Sequence, residues 1–495
     1  MSPPAGPGPW RAPGRPAPPN RPYKENETVD GNKPDTSHVD AVVARARAAQ
    51  KVFETFDQAR VDRAVQALAW ALMEPERNRR LAELAVRTTG LGSVEDKIRK
   101  NHRKTLGLLR DLQGARTVGV IHEDPAKGLV EIARPLGVVG AIVPSTNPLA
   151  TPTNNAINAV KCRNAVVLAP SPKGEEACAQ LLAHMHAELD KVGAPRDIVI
   201  QMPRPTTKAD TEHLMRVVDQ VVVTGSQRNV RNAYSSGTPA IGVGAGNVAV
   251  IVDETAHLAD AARKIRQSKT FDNATSCSSE NSLIVVDDRY DAMMAALAAE
   301  GGMMLGPDDT ARLTATLWPE GRLNGALLAQ DLPVLAQAAG IAAPEGTRFF
   351  MVADDGVGPD HPYSGEKMSL VLTVYRAADY AGAVARATDL LNHQGGGHSL
   401  GIHTTHPDRP LELGLTLPTC RVIVNQAHCF ATGGSFDNGM PFSLSMGCGS
   451  WGGNSISDNL NYRHFMNITR VVRTIPAAEP DLADLFSDYW AEVGR

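Results

Sequence analysis

Between Gly137 and Ser226 short apolar runs alternate with helical patterns. GVVGAIVP (137–144), NAVVLAP (164–170), DIVIQMP (197–203) and DQVVVTGS (219–226) are separated by PLATPTNNAINAVKCR, EEACAQLLAHMHAELDKVG and TEHLMRVV. Runs this apolar, with no polar alternation, belong to strands buried on both faces, and strands joined through helices pair in parallel. The chain is therefore α/β, with a sheet sandwiched between helices. Ligands of such sheets sit at the carboxyl ends of the strands, which here are Pro144–Pro148, Ala169–Gly174 and Thr224–Ser226.

The flanks read differently. From about Ser37 to Gly114 apolar residues recur at helical spacing, with Asp57 or Asp62 as candidate caps of a second helix. TVGVIHEDPAKGLVEIA, about 116–134, is two alternating runs around a Pro-Ala-Lys-Gly turn, a hairpin pattern. It would pair with another subunit or cap a sheet. Residues 1–36 are proline-rich and almost free of aliphatic side chains, so they cannot bury enough surface to order themselves; they form a plain extension or a docking peptide for a partner. At 495 residues the chain divides into two or three domains. A net charge of −4 gives no reason to expect nucleic acid or an anionic membrane as partner. No apolar run approaches the length of a membrane span. Six scattered cysteines without CxxC pairs indicate neither a disulfide framework nor a zinc site, and a reducing cytoplasm is the expected compartment.

One of those cysteines stands apart. Cys277 lies in KTFDNATSCSSE (269–280), between a helical pattern and the β-rich run SLIVVDD. A thiol held between two rigid elements can face a cleft as a nucleophile, provided the site favours its anion; a buried free cysteine serving only as a small hydrophobe is the alternative. Gly242, Gly244 and Gly246 in GVGAGN do not make a dinucleotide fingerprint, because they lead into a strand (VAVIVDE) instead of a helix. Their density suggests close approach of backbone to a ligand. Histidines in NHQGGGHSLGIHTTH fit a glycine loop before a strand better than a metal site, and no metal is expected.

The stretch RPLGVVGAIVPSTNPLATPTNNAINAVKCRNAVVLAPSPKG, followed in order by VTGS, GVGAGN, KTFDNATSCSSE, GEKMSL and SMGCGSWGGNS, resembles the aldehyde dehydrogenase superfamily, and most of all its coenzyme A-acylating branch. The resemblance spans roughly Arg134–Ser455. It implies a Rossmann-type cofactor domain (37–240, carrying the hairpin), an α/β catalytic domain with Cys277 (241–446), and a return segment with an oligomerisation strand and C-terminal helix (447–495). It implies Cys277 as nucleophile and Asn147 as donor to the oxyanion, with His398, in a GGxGH pattern, as helper. By itself Asn147 would read as a turn residue. Pro144, Ser145, Gly225, Ser226 and Gly244 would line the nicotinamide cofactor's site, Gly225–Ser226 as the turn into a helix facing its pyrophosphate, with Glu366 on the nicotinamide ribose. Phe430–Ser450 would line the substrate pocket, where Cys448 is a rival nucleophile.

Two departures from the hydrolytic branch carry weight. Val243 stands where those enzymes carry the glutamate that activates water, so the resemblance implies transfer of the acyl group to coenzyme A. Ala169 replaces a lysine at the second strand end, and Ser171 and Lys173 follow; they could meet a phosphate, which favours NADP while leaving NAD open, or Lys173 is a solvated loop charge. The Phe430–Ser450 region is most similar to members acting on sulfoacetaldehyde; acetaldehyde, succinate semialdehyde and a hydrolytic outcome are the alternatives. TRVVRTIP (469–476) is similar to the strand that joins subunits, implying a homodimer or homotetramer.

Overall fold

Five parallel strands build the first sheet, in the spatial order Val199–Gln201, Ala165–Pro170, Val138–Val143, Gln220–Thr224, Ala240–Val243. The computed structural model describes residues 34–494, so most of the proline-rich segment lies outside the described residues. Every residue of Val138–Val143 and of Ala165–Pro170 is buried, as their unbroken apolar runs require. The chain enters at the central strand and moves outward through the helices Ala150–Lys161 and Glu175–Lys191. It then returns to the other side of the centre with Gln220–Thr224. That reversal opens a crevice between the carboxyl ends of Val138–Val143 and Gln220–Thr224, where Pro144–Asn147 and Thr224–Ser226 stand.

The helices Ser37–Phe53 and Gln58–Met73 share this sheet's core through Val39, Phe53, Leu68 and Leu72. Asp57 caps the second, its carboxylate accepting the Arg60 N–H at 2.9 Å. Asp62, the other capping candidate, sits inside that helix and receives the buried Lys161 ammonium instead.

A second sheet of seven parallel strands runs Gly302–Met304, Phe349–Ala353, Val371–Ala377, Glu280–Val286, Val248–Val252, Leu400–His403, Val422–Val424. Gly244–Asn247 links the last strand of the first sheet to a central strand of the second, with no helix after the glycines. The boundary expected at 240/241 falls within the strand Ala240–Val243, so the crossing between sheets comes a few residues later. The expected hairpin forms between Gly119–Asp124 and Leu129–Pro135, antiparallel, around a tight turn at Pro125–Lys127. Met466–Val472, three residues earlier than the expected late strand, pairs with Leu129–Pro135 of the same chain. The helix Leu482–Val493 buries no residue, and Leu482, Leu485, Phe486, Tyr489 and Val493 are exposed on it. Among the described residues no helix is long and apolar enough to cross a membrane.

Candidate active site

Cys277 is presented by a turn that its own sequence disfavours. After the helix Leu258–Thr270, Asp272, Asn273 and Ala274 take φ of 49°, 52° and 60°. Left-handed backbone costs a non-glycine residue about 1–2 kcal/mol, so the turn needs fastening. Asp272 N–H donates to Asp96 at 2.8 Å, and the Asn273 amide donates to Asp331 at 2.8 Å. The buried Asp272 carboxylate accepts from Ser93 N–H at 2.9 Å, Thr275 Oγ1 at 2.8 Å, Lys97 Nζ at 3.2 Å and Lys100 Nζ. Burial alone would raise this carboxyl, but Lys100 and Lys97 outweigh it and hold it below the usual range. From the other side, Gly246 approaches so closely that a Cβ there would stand 1.8 Å from the Cys277 carbonyl oxygen. At Gly246 the close approach expected of GVGAGN is to the backbone of Cys277.

The cysteine opens onto a cleft of about 480 Å³ that also takes in Asn147, Pro144, Ser145, Gly225, Ser226, Gly244, Val243 and Glu366. Ser171 and Lys173 lie one strand over, outside the cleft lining. Ser171 N–H bonds the Val143 carbonyl at 3.0 Å, and Lys173 is exposed. His398 is also off the lining, but it reaches Cys277 from behind: its Nε2 is 3.4 Å from Cys277 Sγ. Its Nδ1 meets Ser399 Oγ at 2.7 Å, which meets His428 Nε2 at 2.8 Å. Burial, reinforced by Arg421, holds His398 down to about 3, so the ring is neutral and its Nε2 can accept the thiol proton. Arg421 fixes this loop by donating to the carbonyls of His398 at 2.9 Å and Gly447 at 2.8 Å. The thiol itself is pushed up to about 12 by burial and then by Glu366 and Cys448, while its own backbone N–H and Lys104 pull the other way. A raised thiol beside a lowered imidazole disfavours a resting thiolate–imidazolium pair.

Asn147 is oriented by a residue that sequence reasoning missed. Lys100 Nζ donates to Asn147 Oδ1 at 2.8 Å. An ammonium only donates, which assigns the amide oxygen to Lys100 and leaves the NH2 for the cleft. Lys100 belongs to a helix face of Lys97, Lys100, Asn101 and Lys104 in Val94–Leu112, all buried. Charged side chains on a helix read as a solvated face; the signal available was their phase, which continues the apolar stripe of Leu108 and Leu112.

The sequence profile of the Aldehyde dehydrogenase family matches residues 10–311. The chain is 59% identical over 459 residues to the sulfoacetaldehyde dehydrogenase (acylating) of Cupriavidus necator, covering 92% of this chain and 93% of that protein. The chain belongs to the aldehyde dehydrogenase family. It is also 38% identical over 431 residues to the succinate-semialdehyde dehydrogenase (acetylating) of Clostridium kluyveri, covering 87% and 94% of the two chains. Among solved structures, an acetylating aldehyde dehydrogenase from Geobacillus thermoglucosidasius superposes with a TM-score of 0.87 at 34% identity, covering 90% of this chain and 98% of that one.

Within this aldehyde dehydrogenase the remaining residues sort by exposure. Val243 lines the cleft and is 6% exposed, so an apolar side chain closes the wall. Glu366 is the one carboxylate lining the cleft among the described residues, and burial pushes it up to about 8. Cys448 is fully buried and off the lining, against Gly244, while Cys277 lines the cleft and is mostly but not fully buried. Burial raises the Cys448 thiol to about 11.

Proposed function

We propose that this aldehyde dehydrogenase oxidises sulfoacetaldehyde to its acyl-CoA through a thioester on Cys277. The carrying observation is Val243, an apolar residue in the cleft wall with no water-activating carboxylate at that position. Cys277 Sγ attacks the aldehyde carbon as its proton passes to His398 Nε2. The Asn147 amide, turned by Lys100, and the Cys277 N–H receive the oxyanion; one such donor is typically worth about a hundred- to a thousandfold in rate. When bound, the oxidised nicotinamide supplies the hydride acceptor. Once His398 has released the Cys277 proton to solvent, the coenzyme A thiol would attack the thioester left on Cys277, its own proton passing through His398 to the departing Cys277 thiolate; Val243 offers water no carboxylate base in its place.

The residues present suit that cofactor. Gly225, at φ 154°, turns the chain into the helix Gln227–Tyr234, which Ser226 caps, so free N–H groups face the cleft at a helix N-terminus. Pro144, Ser145, Gly244 and Glu366 would complete its site. Ser171 Oγ is buried with no hydrogen-bond partner among the described residues, beside the exposed Lys173, which suits a phosphate and favours NADP, with NAD also accepted. Residues 37–240, which carry the first sheet apart from the rest of its edge strand Ala240–Val243, would be the cofactor domain, 241–446 the catalytic domain, and 447–495 the return and oligomerisation segment. The exposed apolar side chains of Met466–Val472 and Leu482–Val493 support a homodimer or homotetramer, and six free cysteines support a reducing cytoplasm. The test is a substrate panel with coenzyme A: sulfoacetaldehyde should give the highest kcat/KM, ahead of acetaldehyde and succinate semialdehyde. A clear preference for either of those would overturn the substrate assignment.

A further inference from the structure

The chemistry at Cys277 uses one cation, Lys100, yet three line the cleft: Lys100, Arg103 and Lys104, all from the helix Val94–Leu112. Lys100 is paired with Asp272. Lys104 is not paired with any carboxylate among the described residues. It is 8% exposed, and its ammonium donates to the Gly433 carbonyl at 2.6 Å and the Ser443 carbonyl at 3.1 Å. An ammonium has three donors, and the third has no acceptor among the described residues. Arg103 places a single nitrogen on neutral acceptors, the Phe430 and Gly434 carbonyls and Ser435 Oγ, at 2.9 to 3.1 Å. Its other nitrogens have no partner among the described residues. Carbonyls hold a cation in position without cancelling its charge. Burial, then Arg103, accordingly brings Lys104 down to about 7.

The exposed Asp437 acts on Arg103 from a distance, but no carboxylate among the described residues forms an ion pair with either cation; two adjacent cations so placed in the wall are unfavourable, and a bound anion offsets that. The wall is shaped for something small. Gly433 lines it, and a Cβ there would stand 2.5 Å from Lys104 Nζ. Phe430 and Phe442 flank the cations, 5.2 Å and 5.3 Å from the Arg103 guanidinium.

We propose that Lys104, with Arg103 beside it, forms the sulfonate subsite, receiving the substrate's anionic end while its aldehyde carbon meets Cys277. This rests on the sulfoacetaldehyde assignment. The sulfur of that substrate is two bonds from the carbonyl carbon, so the anion enters the same enclosure as the thiol, and Lys104 and Cys277 lie close enough to influence each other's ionisation. The phosphates of coenzyme A and of the dinucleotide are the other anions this cleft meets. They ride on long arms, whereas the Lys104 ammonium is enclosed.

Lys104→Gln keeps two N–H donors for the carbonyls and removes the charge, and Arg103→Gln removes the neighbouring charge at a half-exposed position. The readout is the ratio of kcat/KM for sulfoacetaldehyde to that for propionaldehyde, with KM for coenzyme A and for the nicotinamide cofactor measured alongside. Loss of a charge-assisted contact predicts a fall in the ratio of roughly 10- to 100-fold for Lys104→Gln, a smaller fall for Arg103→Gln, and unaltered KM for both cofactors. Equal losses with both aldehydes, or a raised KM for coenzyme A or the dinucleotide in place of the selective loss, would overturn the subsite and leave the substrate assignment standing. A wild-type enzyme without preference for sulfoacetaldehyde would overturn both. If Lys104→Gln does not fold, the Arg103→Gln ratio decides by the same criteria.

Discussion

Lys100→Met should damage catalysis by releasing the Asn147 amide that Lys100 orients. The ammonium makes three contacts: Asn147 Oδ1 at 2.8 Å, Thr275 Oγ1 at 3.0 Å, and the Asp272 carboxylate. A charge-assisted hydrogen bond is worth about 1.5–3 kcal/mol, so without it the productive setting of the Asn147 amide loses roughly 10- to 100-fold in population. The loss in kcat should fall in that range, bounded by the about 100- to 1000-fold expected when Asn147→Ala deletes the donor. Stability should drop by about 3 kcal/mol, the low end for breaking a buried ion pair, because Lys97, Ser93 N–H and Thr275 still serve Asp272. The sign with pH follows from the depressed Asp272 carboxyl. Its contribution is present above the unfolded carboxyl value and lost as pH falls, so the gap in melting temperature between wild type and variant should narrow below roughly pH 4. The assay is a double-mutant cycle in kcat with coenzyme A present. If Lys100 acts through Asn147, the double variant should be no slower than Asn147→Ala alone. Fully multiplicative losses would refute the orienting role.

Cys277→Ala should abolish turnover while nicotinamide binding, followed by fluorescence, persists, whereas Cys448→Ala should keep most activity; a dead Cys448 variant would reverse the assignment. Alkylation of Cys277 by iodoacetamide should rise about tenfold per pH unit from pH 7 to 10 without a plateau, since the thiol lies near 12 and His398 near 3. A plateau near neutrality would reveal a preformed ion pair. Leu485→Glu, on the exposed face of the C-terminal helix, should lower the oligomeric state seen in sedimentation; an unchanged mass would remove that face from the interface.

The legible parts of the fold were those set by local pattern. The strands from Val138 to Thr224 are buried on both faces and so read as apolar runs, and the hairpin is fixed by its Pro-Ala-Lys-Gly turn. The order of the seven-stranded sheet was not legible, because Glu280–Val286 pairs with Val371–Ala377 across almost a hundred residues. At the site, Cys277, singled out by its place between a helix and a strand, and Asn147, Glu366 and the glycine–serine turn, named from the resemblance, share one cleft. The lysine face escaped because what justifies each charge is distant: Asp272 for Lys97 and Lys100, and the Gly433 and Ser443 carbonyls for Lys104. The left-handed turn at Asp272–Ala274 escaped because it contains no glycine to announce it.

The central claim is that the Cys277 thioester waits for a thiol. Water is abundant, but Val243 cannot give it the general-base assistance that is typically worth roughly a hundred- to ten-thousandfold. The direct measurement is a stopped-flow trace of nicotinamide absorbance after mixing enzyme, oxidised cofactor and sulfoacetaldehyde, with and without coenzyme A, and mass identification of the product. Without coenzyme A, reduced cofactor should appear in a burst of about one per active site followed by a slow rate. With it, turnover should be sustained and yield the acyl-CoA. Rapid, sustained formation of free acid without coenzyme A would contradict the account.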